Sequence, residues 1–442
     1  MRLFAFGSNG SGQLGIGHEE DVSTPVQCLF AQPEPARESQ ITTIQNTALA
    51  DESEITTIAA GGNHTLLLTA SGSIYAAGCN EDGRCGPHRA TKDSITAENE
   101  GNILRFRQMV LSDTISNTEV SKFKHVSATW QGTIAVASVP RSSGHNVDQG
   151  NNHETEDRVF VLGSSPKGEL GLGPDTPVSV PGTCIPSFPP PDLRITALAS
   201  GMAHSVAVLS NGDVYGWGGA RKGQLGSENR QAKIAYSPVR ICVPFFAEAV
   251  ACGREFTVVS GCGRFVVLGD KGNRWGLLSV PESLSLAGSD GYSLQDDGQG
   301  SGGIIRYSYT GIAASWHGIY VHAAPGLGRV EPSISDAPTG SDADIGGSIV
   351  AWGRNDRGQL PPPDLPSPAK LAVGSEHVLA LLGDGRVAAF GWGEHGNCGP
   401  DTDSQGNVSG IYNVILLPEA VGADAKVVGA GAGCATSWLI VT

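Results

Sequence analysis

The sequence predicts an all-β fold: a seven-bladed β-propeller closed by pairing of its first and last strands. Three observations predict it. A glycine-rich turn signature recurs seven times, and a second glycine-centred motif recurs seven times between those copies. The chain also opens on one half of a unit and ends on the other half. Self-similarity at about 40–50 residues marks a propeller blade, which cannot bury its own faces and stacks on its neighbours.

The turn signature reads GSNGSGQLG at residues 7–15, GCNEDGRCG at 78–86, GSSPKGELG at 163–171 and GGARKGQLG at 218–226. It continues as GDKGNRWGL at 269–277, GRNDRGQLP at 353–361 and GWGEHGNCG at 391–399. Two residues before the first glycine stands a slim side chain: Ala5, Ala76, Val161, Gly216, Val267, Ala351 or Ala389. The flanking positions are mostly bulky, as at Phe4 and Phe6. Successive strand residues face opposite ways, so each sheet has a slim face and a bulky one, as a sheet pressed between two neighbours requires. The glycines permit positive φ in the turn. The apolar residue near its end (Leu14, Leu170, Leu225, Leu360) would plug the seam between blades.

The second motif is an apolar residue, two small residues, a glycine, two variable positions and often a histidine. Its copies start at Ile58, Val126, Leu198, Val250, Ile312, Leu371 and Val428. The glycine column reads Gly61, Thr129, Gly201, Gly253, Ser315, Gly374 and Gly431; the histidine column reads His64, Gly132, His204, Phe256, Gly318, His377 and Cys434. Small columns would let seven strands crowd a central axis. The two half units, residues 3–17 and 426–441, make one more blade only when joined, which removes the free edges of a linear array.

The whole chain, residues 1–442, is expected to form one propeller. Polar insertions rich in Ser, Asp, Asn, Gly and Pro fall near residues 32–54, 138–157, 281–303, 323–347 and 401–410. They are expected to be surface loops outside the ring.

Composition narrows the function. The net charge is −15, and no cluster of five or more Lys/Arg occurs, so direct nucleic-acid binding and adhesion to anionic membranes are not expected. The N-terminus lacks the charged-then-apolar pattern of a secretory signal, and no apolar stretch reaches spanning length. Nine cysteines without a C-x-x-C pair fit a reducing compartment. A cytoplasmic and nuclear location follows as the expectation.

The paired signatures resemble the regulator-of-chromosome-condensation repeat over nearly the whole chain outside the insertions. That family's fold is a seven-bladed propeller. FAFGSNGSGQLGIGHEEDVSTPVQ at residues 4–27 and IAAGGNHTLLLTASGSIYAAGCNEDGRCG at 58–86 are similar to the fungal alpha-tubulin-suppressor, or killer-toxin-insensitivity, branch. That resemblance implies a heterodimer between a monomeric propeller and the small metal-binding zinc-ribbon protein of diphthamide biosynthesis. It further implies support of diphthamide formation and of Elongator-dependent wobble-uridine modification in tRNA, with Elongator reached only indirectly. The alternative, from the family's founding member, is a guanine nucleotide exchange factor for a Ran-like small GTPase. No basic tail and no convincing hairpin wedge favour that alternative here.

Function in a propeller sits where loops converge at one mouth of the ring. The variable pairs of the second motif supply one loop per blade, and Trp130, Trp316, His317, Arg254, Glu255 and Glu376 are the partner-binding candidates. Trp130 and Trp316 replace small residues in units two and five and would face each other across the mouth. Tryptophan is enriched at binding hot spots; the competing account is that both fold inward to fill space left by an absent histidine. His64, His204 and His377 are expected to be structural, hydrogen-bonded to backbone between blades. Phe256 and the glycines in that column argue against a ring of metal ligands. Cys79, Cys85 and His88 make a poor zinc pattern, and Cys85 and Cys398 read as small buried thiols. The Gly/Ser turn at residues 7–12 has no strand-to-helix elbow of the kind that presents a nucleophilic serine. No catalytic residue, cofactor or metal is expected, and the chain is not expected to be an enzyme.

Overall fold

A computed structural model describes residues 1–31, 53–87, 101–113, 117–141, 155–270, 272–281, 284, 305–306, 309–323, 349–422 and 424–442. Seven antiparallel meanders form the blades of a closed propeller. From blade one to blade seven the inner strands are Ile55–Ala60, His125–Ala128, Ile195–Ser200, Ala249–Cys252, Tyr309–Ala314, Pro368–Val373 and Val427–Ala432. Blade seven is composite. Its inner strand Val427–Ala432 and second strand Thr436–Val441 come from the C-terminus, and Arg2–Gly7 and Val22–Gln27 from the N-terminus. Six residue pairs, Arg2↔Val441 to Gly7↔Thr436, join the two ends in one ladder. The expected closure is therefore the observed one.

The core lies in the seams. Leu14, Leu67, Tyr75, Phe106 and Trp438 pack together between blades seven and one. Leu170 packs with Trp217 between blades two and three, and Leu225 with Val259 and Val266 between three and four. The signature leucine thus does plug the seam. Cys85 and Cys398 occupy the same slot, 1% and 0% exposed.

Within the signature, Asn9 Oδ1 accepts the Leu14 amide at 3.0 Å, and Gln13 Oε1 accepts that of Ser11 at 2.9 Å. Asn80 and Asn355 repeat the first bond, Gln224 and Gln359 the second. These side chains satisfy amides that a tight turn would otherwise orphan. Gly7 opens the turn at φ 113° against Thr436 and the Ala435 carbonyl, where no side chain fits.

Two polar tracts are narrower than the sequence suggested. Gly132–Pro140 and Thr155–Ser164 pair from Gly132↔Gly163 out to Pro140↔Thr155, so residues 138–140 and 155–157 are strand, not loop. Their polarity serves the sheet. Asp157 is buried, takes Lys124 and Arg194 as ion partners, and accepts the Ile195 amide. Likewise Asn407–Ile415 is the outer strand of blade six, so the loop near 401–410 ends early. Ala323 closes the strand Gly318–Ala323. Most of the other expected insertions, with His88, lie outside the described residues.

The seventh copy of the second motif also needs correction. Thr436, not Cys434, pairs with Gly7 as His64 pairs with Gly78 and His204 with Gly218. Gly433, not Gly431, is the glycine of that copy, and its amide donates to the Thr436 carbonyl as Gly61 does to His64. The stretch Gly429–Gly433 alternates Gly and Ala, so a slip of two residues leaves its pattern intact.

Candidate binding face

In a meander, the links after the first and third strands share one side. The second-motif loops and the signature turns therefore crowd the same face of the ring. Seven inner strands end around a channel mouth, a cavity of about 110 Å³ lined by Gly61, Thr129, Gly201, Cys252, Ser315 and Gly433 among others. The loop apices form a hydrogen-bonded belt. Gly62 N donates to Trp130 O, Trp130 N to Met202 O, Arg254 N to Trp316 O, Trp316 N to Ser375 O and Ser375 N to Gly433 O.

Trp130 and Trp316 meet over this mouth, ring centroids 5.6 Å apart and planes tilted by 46°. Both are half-buried. Trp130 lies against Gly62, where a Cβ would come within 2.6 Å of the indole. The two indoles are over the channel and not in the interblade niche. Beside Gly318 that niche is taken by the Tyr320 ring, whose hydroxyl donates to Gln359 O at 2.7 Å.

The histidine column forms three matching clamps. His64 Nε2 lies 3.0 Å from Thr133 Oγ1, and Thr133 donates in turn to Arg84 O. His204, Thr257 and Gln224 O repeat this arrangement, as do His377, Ser437 and Asn397 O. Each joins a histidine and its own signature turn to a hydroxyl of the next blade. Because the hydroxyl proton goes to the carbonyl, the oxygen must accept from Nε2–H, which fixes the tautomer. The partner facing Nε2 is a side-chain hydroxyl, and the next blade's backbone at Phe256 and Thr436 also favours the rings of His204 and His377. Burial, joined at His64 by the Arg84 charge, outweighs the nearby Asp82 and Glu376 carboxylates and lowers the pKa of His64 to about 3 and of His204 and His377 to about 4, so all three are neutral.

The clamp also explains the glycine column. A Cβ on Gly61, Gly201 or Gly374 would strike the ring of the histidine three residues on, and one on Gly253 would strike Phe256. Where Thr129 or Ser315 replaces the glycine, the later position is Gly132 or Gly318, whose own Cβ would lie 2.9 Å from the hydroxyl. The two positions trade bulk.

Glu376 differs from its expectation as a contact residue. It is 4% exposed and bonded on all sides. Its Oε1 meets His317 Nδ1 at 2.9 Å and Arg354 at 3.0 Å, and its Oε2 accepts from Gln359 at 2.8 Å. Burial raises its pKa, but the bonds from His317 and Gln359 and the Arg354 charge outweigh this and hold it below the ordinary value. It orders blades five and six from beneath, and His317, half-buried, is part of the same network. Glu255 is exposed at the rim, and Arg254 lies 5.4 Å from the Trp316 ring.

Sequence reasoning missed two further tryptophans of this face. Trp275 is flanked by Arg274 at 4.2 Å and Arg354 at 5.1 Å, and Trp392 carries Arg357 at 5.0 Å. Both tryptophans sit in the signature turns, at positions where no other copy carries an aromatic residue. No group of three or more His, Cys, Asp or Glu side chains able to hold a metal converges among the described residues, and no helix is long and apolar enough to cross a membrane.

Models of the regulator of chromosome condensation (RCC1) repeat match residues 2–68, 55–84, 195–224 and 211–260. The chain is a seven-bladed propeller that carries RCC1 repeats in those stretches. It is 26% identical, over 99% of its length and 98% of the relative's, to the fission yeast RCC1 repeat-containing protein C10F6.04. It is 25% identical to the mouse secretion-regulating guanine nucleotide exchange factor, over 98% of this chain and 82% of that one. Among solved structures, human WBSCR16 superposes with a TM-score of 0.63 at 17% identity, covering 100% of this chain and 98% of that one. Prp20p from Saccharomyces cerevisiae gives 0.62 at 19%, covering 99% and 90%. The chain thus has the fold of RCC1-type binding and exchange-factor proteins.

Proposed function

We propose that this chain is a non-catalytic scaffold whose loop face binds the small metal-binding zinc-ribbon protein of diphthamide biosynthesis. On this reading a monomeric propeller and its partner form a heterodimer in the cytoplasm and nucleus, supporting diphthamide formation and Elongator-dependent wobble-uridine modification. The observation that carries the scaffold reading is the clustering of Trp130, Trp316, Trp275 and Trp392, all half-buried, on one face. Partly exposed tryptophans fit a protein contact, where an amphipathic ring stays solvated until covered. The choice of partner rests on the sequence resemblance at residues 4–27 and 58–86.

The test is co-purification of the tagged chain with the zinc-ribbon protein. Recovery is expected from wild type, with a loss of at least ~10-fold for the Trp130→Ala, Trp316→Ala double variant. Equal recovery by the double variant would remove this face from the interface; no recovery by wild type would remove the partner. The competing reading, exchange on a Ran-like GTPase, is favoured by the kinship with the mouse exchange factor. It predicts accelerated release of labelled GDP, and a flat release curve rejects it.

A further inference from the structure

We infer that the sector of the loop face over blades three to five docks an acidic, leucine- or aromatic-bearing peptide segment of a partner protein. The inference rests on the docking face proposed above and adds the chemistry of what it binds. Its ground is an imbalance in ion pairing. Lys222 and Arg230 are paired with Asp270, and Arg354 with Asp356 and Glu376. Arg221, Arg254, Arg274 and Arg357 have no carboxylate partner among the described residues. Three of them lie beside indoles instead: Arg254 with Trp316, Arg274 with Trp275 and, at the border with blade six, Arg357 with Trp392, whose N–H donates to Glu394.

An arginine stacked on a ring is held by its flat face while the N–H groups at its edge stay free. That edge is the fork that grips a carboxylate with two parallel bonds. The ring beneath offers apolar surface to a neighbouring leucine or aromatic side chain. Stacks on successive turns suit several carboxylates along an extended segment better than one small anion.

Stacked arginines and indoles would also suit single-stranded nucleic acid. The rest of the face argues against it. Over blades six, seven and one the corresponding loops carry Glu394, Glu19, Glu20, Asp21, Glu81 and Asp82, and the whole chain has a net charge of −15. A long polyanion crossing that sector is repelled, whereas a short acidic segment confined to blades three to five is not. Glu255, exposed within the basic sector, gives the segment a place for one basic residue.

The experiment is fluorescence anisotropy on the full chain with three labelled probes of equal length: a Glu/Leu peptide, a Lys/Leu peptide and a single-stranded oligonucleotide. Saturable binding of the Glu/Leu peptide alone is expected, weakening with salt. The triple variant Arg254→Glu, Arg274→Glu, Arg357→Glu should lose at least ~10-fold in affinity, while Arg105→Glu with Arg107→Glu, on the outer strand of blade one, should not. Circular dichroism checks the fold, and the milder Arg274→Gln keeps the test open if the triple variant does not fold. No saturable peptide binding, equal binding by the reversed variant, or preference for the oligonucleotide would each overturn the inference. Peptide binding that is lost in the triple variant, in a chain that never captures the zinc-ribbon protein, would leave this inference standing and remove the choice of partner above.

Discussion

Thr133 Oγ1 of blade two stands 3.0 Å from Nε2 of His64 in blade one and gives its own proton to the Arg84 carbonyl in the signature turn of blade one. One hydroxyl thereby fastens two parts of a neighbouring blade. Thr133→Val keeps the shape but leaves a buried N–H and a buried carbonyl unpaired. The expected loss is about 2–6 kcal/mol, as each of the two orphaned groups costs about 1–3. Thr65 is the control: it holds the same position in blade one, and its hydroxyl is buried without a hydrogen-bond partner among the described residues. Thr65→Val should stay within about 0.5 kcal/mol of wild type or gain, because it removes a buried polar group that nothing satisfies. Urea unfolding of the two variants checks this; equal losses would deny the clamp.

The clamps make the ring sensitive to acid. In the folded chain His64 titrates at about 3, and His204 and His377 at about 4, against 6.5 for a free imidazole. Between those values the unfolded chain binds more protons, so stability rises with pH there and is lost as pH falls from 6.5 toward 4. At pH 4.5 each histidine should cost roughly 2–3 kcal/mol relative to pH 7. Glu376, whose pKa is lowered, acts in the same direction at the acid end. Unfolding midpoints at pH 7, 5.5 and 4.5 should fall steeply for wild type and less for His64→Gln. Parallel slopes for the two proteins would show that the buried imidazole is not the source.

Much of this architecture was legible in the sequence because the repeat is written in residues that backbone geometry demands. The first glycine of the signature, Gly7 and its counterparts, opens the turn in every copy, so its recurrence counted the blades and the split unit revealed the closure. The slip at Gly431 came where Gly and Ala alternate and nothing marks the register; only the pairing of Thr436 with Gly7 resolves it. Glu376 looked like a loop residue because its position in the motif is variable, yet His317, Gln359 and Arg354 surround it from two other segments. Such long-range bonds leave no local pattern. Trp275 and Trp392 were visible as letters, but their stacking on Arg274 and Arg357 depends on turn geometry that spacing does not encode.

The exchange of bulk between glycine and histidine columns gives a third prediction. Gly61→Ala would press its methyl into the His64 ring and the Thr129 carbonyl of the next blade. Neither yields easily, because the ring is clamped by Thr133 and the carbonyl belongs to the crowded inner ring. A loss above about 3 kcal/mol is expected, at the upper end of overpacking. Gly10→Ala, where nothing lies within 4 Å of the added methyl, should change stability by less than about 0.5 kcal/mol. Thermal melts of the two variants distinguish a packing requirement at one glycine from a general intolerance of alanine in these motifs.

Trp130 and Trp316 belong to blades two and five, three steps apart around the ring, yet their rings touch over the channel. If that contact ties the two sides of the mouth together, their effects on stability are not independent. Removing either indole loses the contact, and removing the second then costs less than it would alone. A double-mutant cycle with Trp130→Ala and Trp316→Ala should give a coupling of about 0.5–1.5 kcal/mol, the range for aromatic pairs. Gly62 adds an internal check. Its Cα lies under the Trp130 indole, so Gly62→Ala should disturb the pair and reduce the coupling. Additive single-variant losses would mean that the rings are neighbours without energetic contact, each free to turn toward an incoming partner.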